Sequence, residues 1–131
     1  MELVLKLLFC TNIALLISHE MDAIRCKEWS MFIVLKDMKE NKGYLAFSIV
    51  HIPLYIGLIY LIAYGSTNTI NIFSLCSDIF LIFHWAIHYL FRNKQQNYFK
   101  SLYSLVIINS MGIISLVHII IWFINSEVGV L

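Results

Sequence analysis

Four apolar runs, at 3–23, 44–64, 70–91 and 102–124, occupy most of this chain. Each has roughly the 20 residues that a helix needs to cross the hydrocarbon of a bilayer. The spacing predicts an all-α fold: an integral membrane, antiparallel four-helix bundle forming a single transmembrane domain over residues 1–131. The polar stretch 65–69 is short enough to make the second and third helices adjacent and antiparallel. Composition agrees. The chain is 60% hydrophobic and 13% charged, against about a quarter charged in a soluble domain.

The first run is expected to be retained as a helix. Lys6 is offset by Glu2, and no small-x-small cleavage site follows. Pro53, in the interior of the second run, predicts a kink beside His51. Cys10, Cys26 and Cys76 form no C-x-x-C pair and predict no disulfide, only cysteines buried among apolar neighbours.

A net charge of +1 conceals an asymmetry. Eight of the nine Lys and Arg residues lie in the 25–42 and 92–100 connections. The positive-inside rule places both connections in the cytoplasm, with both termini and the 65–69 turn outside. Within 25–42, Met31, Val34, Leu35 and Met38 fall at helical spacing between charged residues. They predict a cytoplasmic interfacial amphipathic helix anchored by Trp29 and Phe32, whose basic side chains face anionic lipid. A solvated loop is the alternative. No basic patch interleaved with aromatics points to nucleic acid, so the expected partners are the lipid bilayer and, for a pore, further copies of the chain as a homo-oligomer.

The chemistry lies in the polar residues that interrupt the apolar runs. Ionisable groups inside a membrane segment are costly and usually mark a functional site. His84 and His88 are four apart and share one helix face. Counted from the nearest basic boundary, His88, His19, His84 and His51 lie ~6, ~9, ~12 and ~13 Å deep. They come from three different helices and fall in one layer of the cytoplasmic half. Asp22 shares the face of His19, and Glu20 points about 100° away. Imidazole and carboxylate suit a divalent transition metal: zinc first, iron or manganese as alternatives. The expected metal ligands are therefore His19, Asp22, His51, His84 and His88, with Asp22 or Glu20 as catalytic general base. Asn12, Asn109 and Ser18 are expected to orient the imidazoles. Asp78 counts to mid-membrane and is expected in a polar network. His118, at ~27 Å, is expected near the outer surface.

These residues carry a resemblance. His19-Glu20-x-Asp22-Ala23, then Lys27-Glu28-Trp29, then His51-x-Pro53, with a late histidine at His118, resembles an uncharacterised family of small bacterial four-helix membrane proteins, a domain of unknown function. The resemblance extends over nearly the whole chain. It implies the same multi-pass fold in a bacterial inner (plasma) membrane, and it implies no activity. A looser likeness, of chemistry alone, is to seven-helix membrane hydrolases that hold zinc with an H-x-x-x-H pair, a further His and a carboxylate.

Three functions fit the sequence. One is a metal site near the cytoplasmic leaflet, serving a lipid-directed hydrolase or oxidoreductase. Another is a non-enzymatic membrane partner or effector whose His/Asp network is structural. The last is an oligomeric proton or ion pathway through Asp78.

Overall fold

A computed structural model describes residues 2–31, 35, 37–94 and 97–128. Its elements are α1 (Glu2–Arg25), a 3-10 turn (Glu28–Met31), α2 (Glu40–Tyr64), α3 (Thr67–Phe91) and α4 (Leu102–Val128). All four α-helices are long and apolar enough to cross a membrane, and there is no strand among the described residues. Their outward faces carry large exposed apolar side chains, among them Leu3, Ile59, Phe83, Leu102 and Ile120. Soluble monomers do not expose an apolar surface of this extent.

Local chemistry sets the helix ends. Arg25 closes α1, where a cation suits the negative end of the helix dipole. Ser66 caps α3 by accepting from the Thr69 amide at 3.2 Å. Ser101 does the same for α4 through the Ser104 amide at 3.1 Å. Pro53 lies inside α2, and the helix continues through it.

Helix α4 packs along both α1 and α3, whereas α2 touches α3 and the 3-10 turn only lightly. The main core is built on Ala23, Phe47, Leu81, Phe99, Ile108 and Met111. Two close approaches depend on glycine. A Cβ at Gly112 would lie 2.5 Å from the Trp85 ring, so this glycine lets the indole lie flat on α4. There Trp85 Nε1 donates to Asn109 Oδ1 at 2.8 Å. At Gly43 a Cβ would collide with the Trp29 indole in the same way.

The 25–42 segment departs from expectation. Its described residues form the end of α1, a turn, the 3-10 turn and the start of α2, with no amphipathic interfacial helix among them. Phe32, Val34 and Lys36 lie outside the described residues. Trp29 is buried against Phe47 and Gly43 and does not serve as an interfacial anchor. Gly43 sits within α2. All three cysteines are free, and only Cys26 is buried.

Candidate metal centre

At the end of the bundle where α1 finishes and α3 finishes, four donor groups converge. His19, Glu28, His84 and His88 each offer one ligand atom, all within 4.8 Å of one another. His19 is supplied by the penultimate turn of α1, and His84 and His88 by the last two turns of α3. Glu28 comes from the 3-10 turn. It reaches the cluster because Lys27 adopts φ 51°, the left-handed conformation, and reverses the chain just beyond α1. Lys27 Nζ in turn pairs with Glu40 at 2.7 Å.

The three imidazoles meet through the same ring nitrogen. His84 Nε2 is 2.8 Å from His19 Nε2 and 3.1 Å from His88 Nε2. Glu28 oxygens lie 3.5, 3.7 and 3.4 Å from the Nε2 atoms of His19, His84 and His88. A tetrahedral zinc ion with bonds of about 2.0–2.1 Å would separate its ligand atoms by about 3.3 Å. The observed separations bracket that value. The donor set, three neutral nitrogens and one carboxylate, is also one that zinc takes.

As a hydrogen-bond network the same arrangement is poor. One Nε2 offers either one proton or one lone pair, yet His84 Nε2 faces two other Nε2 atoms. The far nitrogens His19 Nδ1 and His88 Nδ1 are buried without a protein partner. Leaving a buried polar atom unpaired costs about 1–3 kcal/mol.

Aromatic side chains wall the cluster on one side. Phe99 stacks on His19 with centroids 5.4 Å apart and meets His88 edge-on at 4.6 Å. Phe99 is held by its own connection: its amide donates to Asn97 Oδ1 at 2.9 Å, and Asn97 Nδ2 donates to the Phe91 carbonyl at 3.1 Å. Asn97 and Phe99 thus close the cluster from its polar end. Burial works against ionisation of Glu28, but the hydrogen bonds and charges of the surrounding imidazoles outweigh it. Its carboxyl is held well below the usual carboxylate range.

Three of the five expected ligands, His19, His84 and His88, are therefore brought together. His51 and Asp22 are not in the group. His51 Nε2 lies 2.9 Å from Glu20 Oε2, and its Nδ1 is 2.6 Å from the Phe47 carbonyl. A carbonyl only accepts, so Nδ1 carries a proton. Asp22 turns to Arg25, whose Nε and Nη2 reach Oδ1 at 2.7 and 2.6 Å. The same guanidinium donates to Ser101 and Ser104 of α4, each at 3.2 Å. Asp22 thus clamps α1 to α4 rather than facing the imidazoles. Of the two expected bases, Glu20 is the one beside the cluster: a cavity of about 370 Å³ is lined by Glu20, His51, Glu28 and His84 with Phe47 and Phe80.

The groups expected to orient the imidazoles are engaged elsewhere. Asn12 donates to Asp78 Oδ1 at 3.1 Å and to Ser115 at 2.9 Å. Asn109 accepts from Trp85, and Ser18 donates to the Ala14 carbonyl. Asp78 also hydrogen-bonds His118, which is buried within the bundle and lines a cavity with Lys6 and Trp122. Asn12, Asp78, Ser115 and His118 form a second polar layer. By helix spacing Leu81 falls one turn from Asp78 and one from His84, and Met111 one turn before Ser115; both are fully buried apolar side chains between the two groups along the helices.

The architecture and the cluster define a class: an all-helical protein with membrane-length helices and a buried His/Glu group at one end. The chain belongs to a family of unknown function, DUF6713, whose family model matches residues 5–125. No curated protein matches it, and no solved structure matches it.

Proposed function

We propose that this chain is a multi-pass membrane metalloprotein that binds one divalent transition metal, zinc first, through His19, Glu28, His84 and His88. The observation that carries this reading is the convergence of three Nε2 atoms and one carboxylate, all within 4.8 Å of one another. The helices run antiparallel across the bilayer. The connections 25–42 and 92–100 face the cytoplasm, and both termini face outward, as the distribution of Lys and Arg requires. The ion then sits beneath the cytoplasmic headgroups, and the basic connections meet anionic lipid.

Four protein donors would close a tetrahedral shell, as in a structural zinc site; hydrolysis of lipid-soluble material would need one of them, Glu28 first, to yield its position to water or a carbonyl. Glu20, beside the cavity, takes the proton-handling role, and Asp22 has a structural one. Elemental analysis of purified protein tests the reading. One zinc per chain is expected, and its loss in His84→Ala and Glu28→Gln is expected with it.

The second reading, a purely structural histidine network, draws on the 2.8 Å contact between His19 and His84, which is a hydrogen-bond distance. It predicts a lower melting temperature for His84→Ala with no metal in the wild type. A proton pathway is the least supported, because the buried Leu81 and Met111 interrupt the polar layers.

A further inference from the structure

The cavity beside the cluster does not end at Glu20 and His51. A second one, of about 560 Å³, is lined by the same two residues and by Val50 and Phe80, and continues between Leu54, Gly57 and Leu61 of α2 and Phe73 and Cys76 of α3. Together they form a passage that is polar where it meets Glu20, His51, Glu28 and His84, and apolar beyond. From His51 to Leu61 its α2 wall advances ten residues, roughly 15 Å. Half of a hydrocarbon core of roughly 30 Å is the same length. The volume lies in the range of pockets that take a small molecule. Open space lies beside Gly57, where a Cβ would meet nothing within 4 Å. The light contact of α2 with the other helices leaves the passage a side entrance.

We infer that this passage binds a single-tailed, uncharged membrane amphiphile. Its tail lies along Leu54–Leu61, and its carbonyl or hydroxyl head lies at the Glu20–His51 pair beside the cluster. Length and wall chemistry select the tail. Wall chemistry and depth select the head. Glu20 and His51 pair with each other at 2.9 Å between otherwise apolar walls, a polar spot that a hydroxyl or carbonyl can join by hydrogen bonding. The head site lies below the headgroup layer, at the depth His51 reaches along its helix, ~13 Å. A charged phosphodiester would lose its water there, whereas an ester, ketone or alcohol loses little. The inference deepens the metal reading by naming the substrate class of that site, but binding of the tail does not depend on the ion.

The test uses full-length protein in phosphatidylcholine vesicles. A monoacylglycerol carrying a diazirine in its tail is photolysed, and the labelled peptides are mapped. Label is expected on residues 73–81 at least fivefold above that from a free fatty acid or a phosphatidylcholine with the same diazirine chain. Gly57→Phe fills the passage and is expected to cut that label at least fivefold, while label on the outer face of α4 at Ile113 and Leu116 is unchanged. Cys76→Trp, which fills it from the other wall, is expected to do the same and covers failure of the first variant to fold. Equal labelling of 73–81 by the three probes, or undiminished labelling in both filled variants, overturns the inference. Zinc is measured on the same samples. Label that is lost in the filled variants of a zinc-free protein upholds the passage and removes only the metal reading.

Discussion

Glu28 places its carboxylate 3.5 Å from His19 Nε2, although the two residues stand on opposite sides of a chain reversal at Lys27. That relationship converts three imidazoles into a four-donor group. It also makes the turn after α1 a part of the site.

The turn is the first point to test. A non-glycine residue in the left-handed conformation costs about 1–2 kcal/mol. Lys27→Gly removes that cost and also the partly exposed pair with Glu40, worth under about 1 kcal/mol. Its melting temperature is expected to stay level or rise, with metal content intact. Lys27→Val, whose branched side chain resists this conformation, is expected to lower both. Thermal denaturation in detergent with parallel zinc measurement checks the pair.

Gly112 tests the packing of α3 on α4. Gly112→Val drives a side chain into the Trp85 ring. Overpacking of this kind costs about 1–3 kcal/mol. The variant is expected to melt earlier and to shift the emission of Trp85, read in a background where Trp29 and Trp122 are replaced by Phe.

The second polar layer is expected to be independent of the first. Asp78→Ala leaves His118 and Asn12 buried without their shared partner. Leaving buried polar groups without a partner costs about 1–3 kcal/mol each. Zinc per folded chain is expected to be unchanged, because Leu81 and Met111 stand between the layers. A melting curve with zinc analysis of the folded fraction separates the two effects.

Acid is expected to release the metal through the histidines. Glu28 is held below its ordinary value of 4.5, so it stays ionised while the pH falls through the histidine range. The stabilisation its carboxylate gives is present above 4.5 and lost only below it. A protonated imidazole cannot bind a metal. Zinc is therefore expected to leave while Glu28 is still ionised, more steeply with pH than a single proton would cause. Zinc retained after equilibrium dialysis over a falling pH series checks it; release with the slope of a single proton would contradict it.

Much of the fold could be read from the residues, because hydropathy and length identify long apolar helices without knowledge of their neighbours. His19, His84 and His88 were also legible. Depth along a helix places them in one layer, and i, i+4 spacing puts the last two on one face. Depth says nothing of position around the bundle, and His51 shares the layer while sitting on the loosely packed α2, paired with Glu20. Asp22 shares the face of His19, but Arg25 stands three residues further along and captures it; that i, i+3 pair was visible in the sequence. Glu28 was missed because it lies in a polar connection, where a carboxylate ordinarily faces water. The reversal that buries it happens at a lysine, with no glycine to signal it.

The central claim is that His19, Glu28, His84 and His88 hold one metal ion, and substitution of Glu28 tests it most directly. Wild type and Glu28→Gln, matched for fold by circular dichroism, are titrated with zinc against a competing chelator. The account predicts one zinc per wild-type chain and an affinity lowered more than about 100-fold in Glu28→Gln, beyond the 10–100-fold typical of a group that only orients a ligand. No zinc in the wild type, or equal affinity in both proteins, would contradict it.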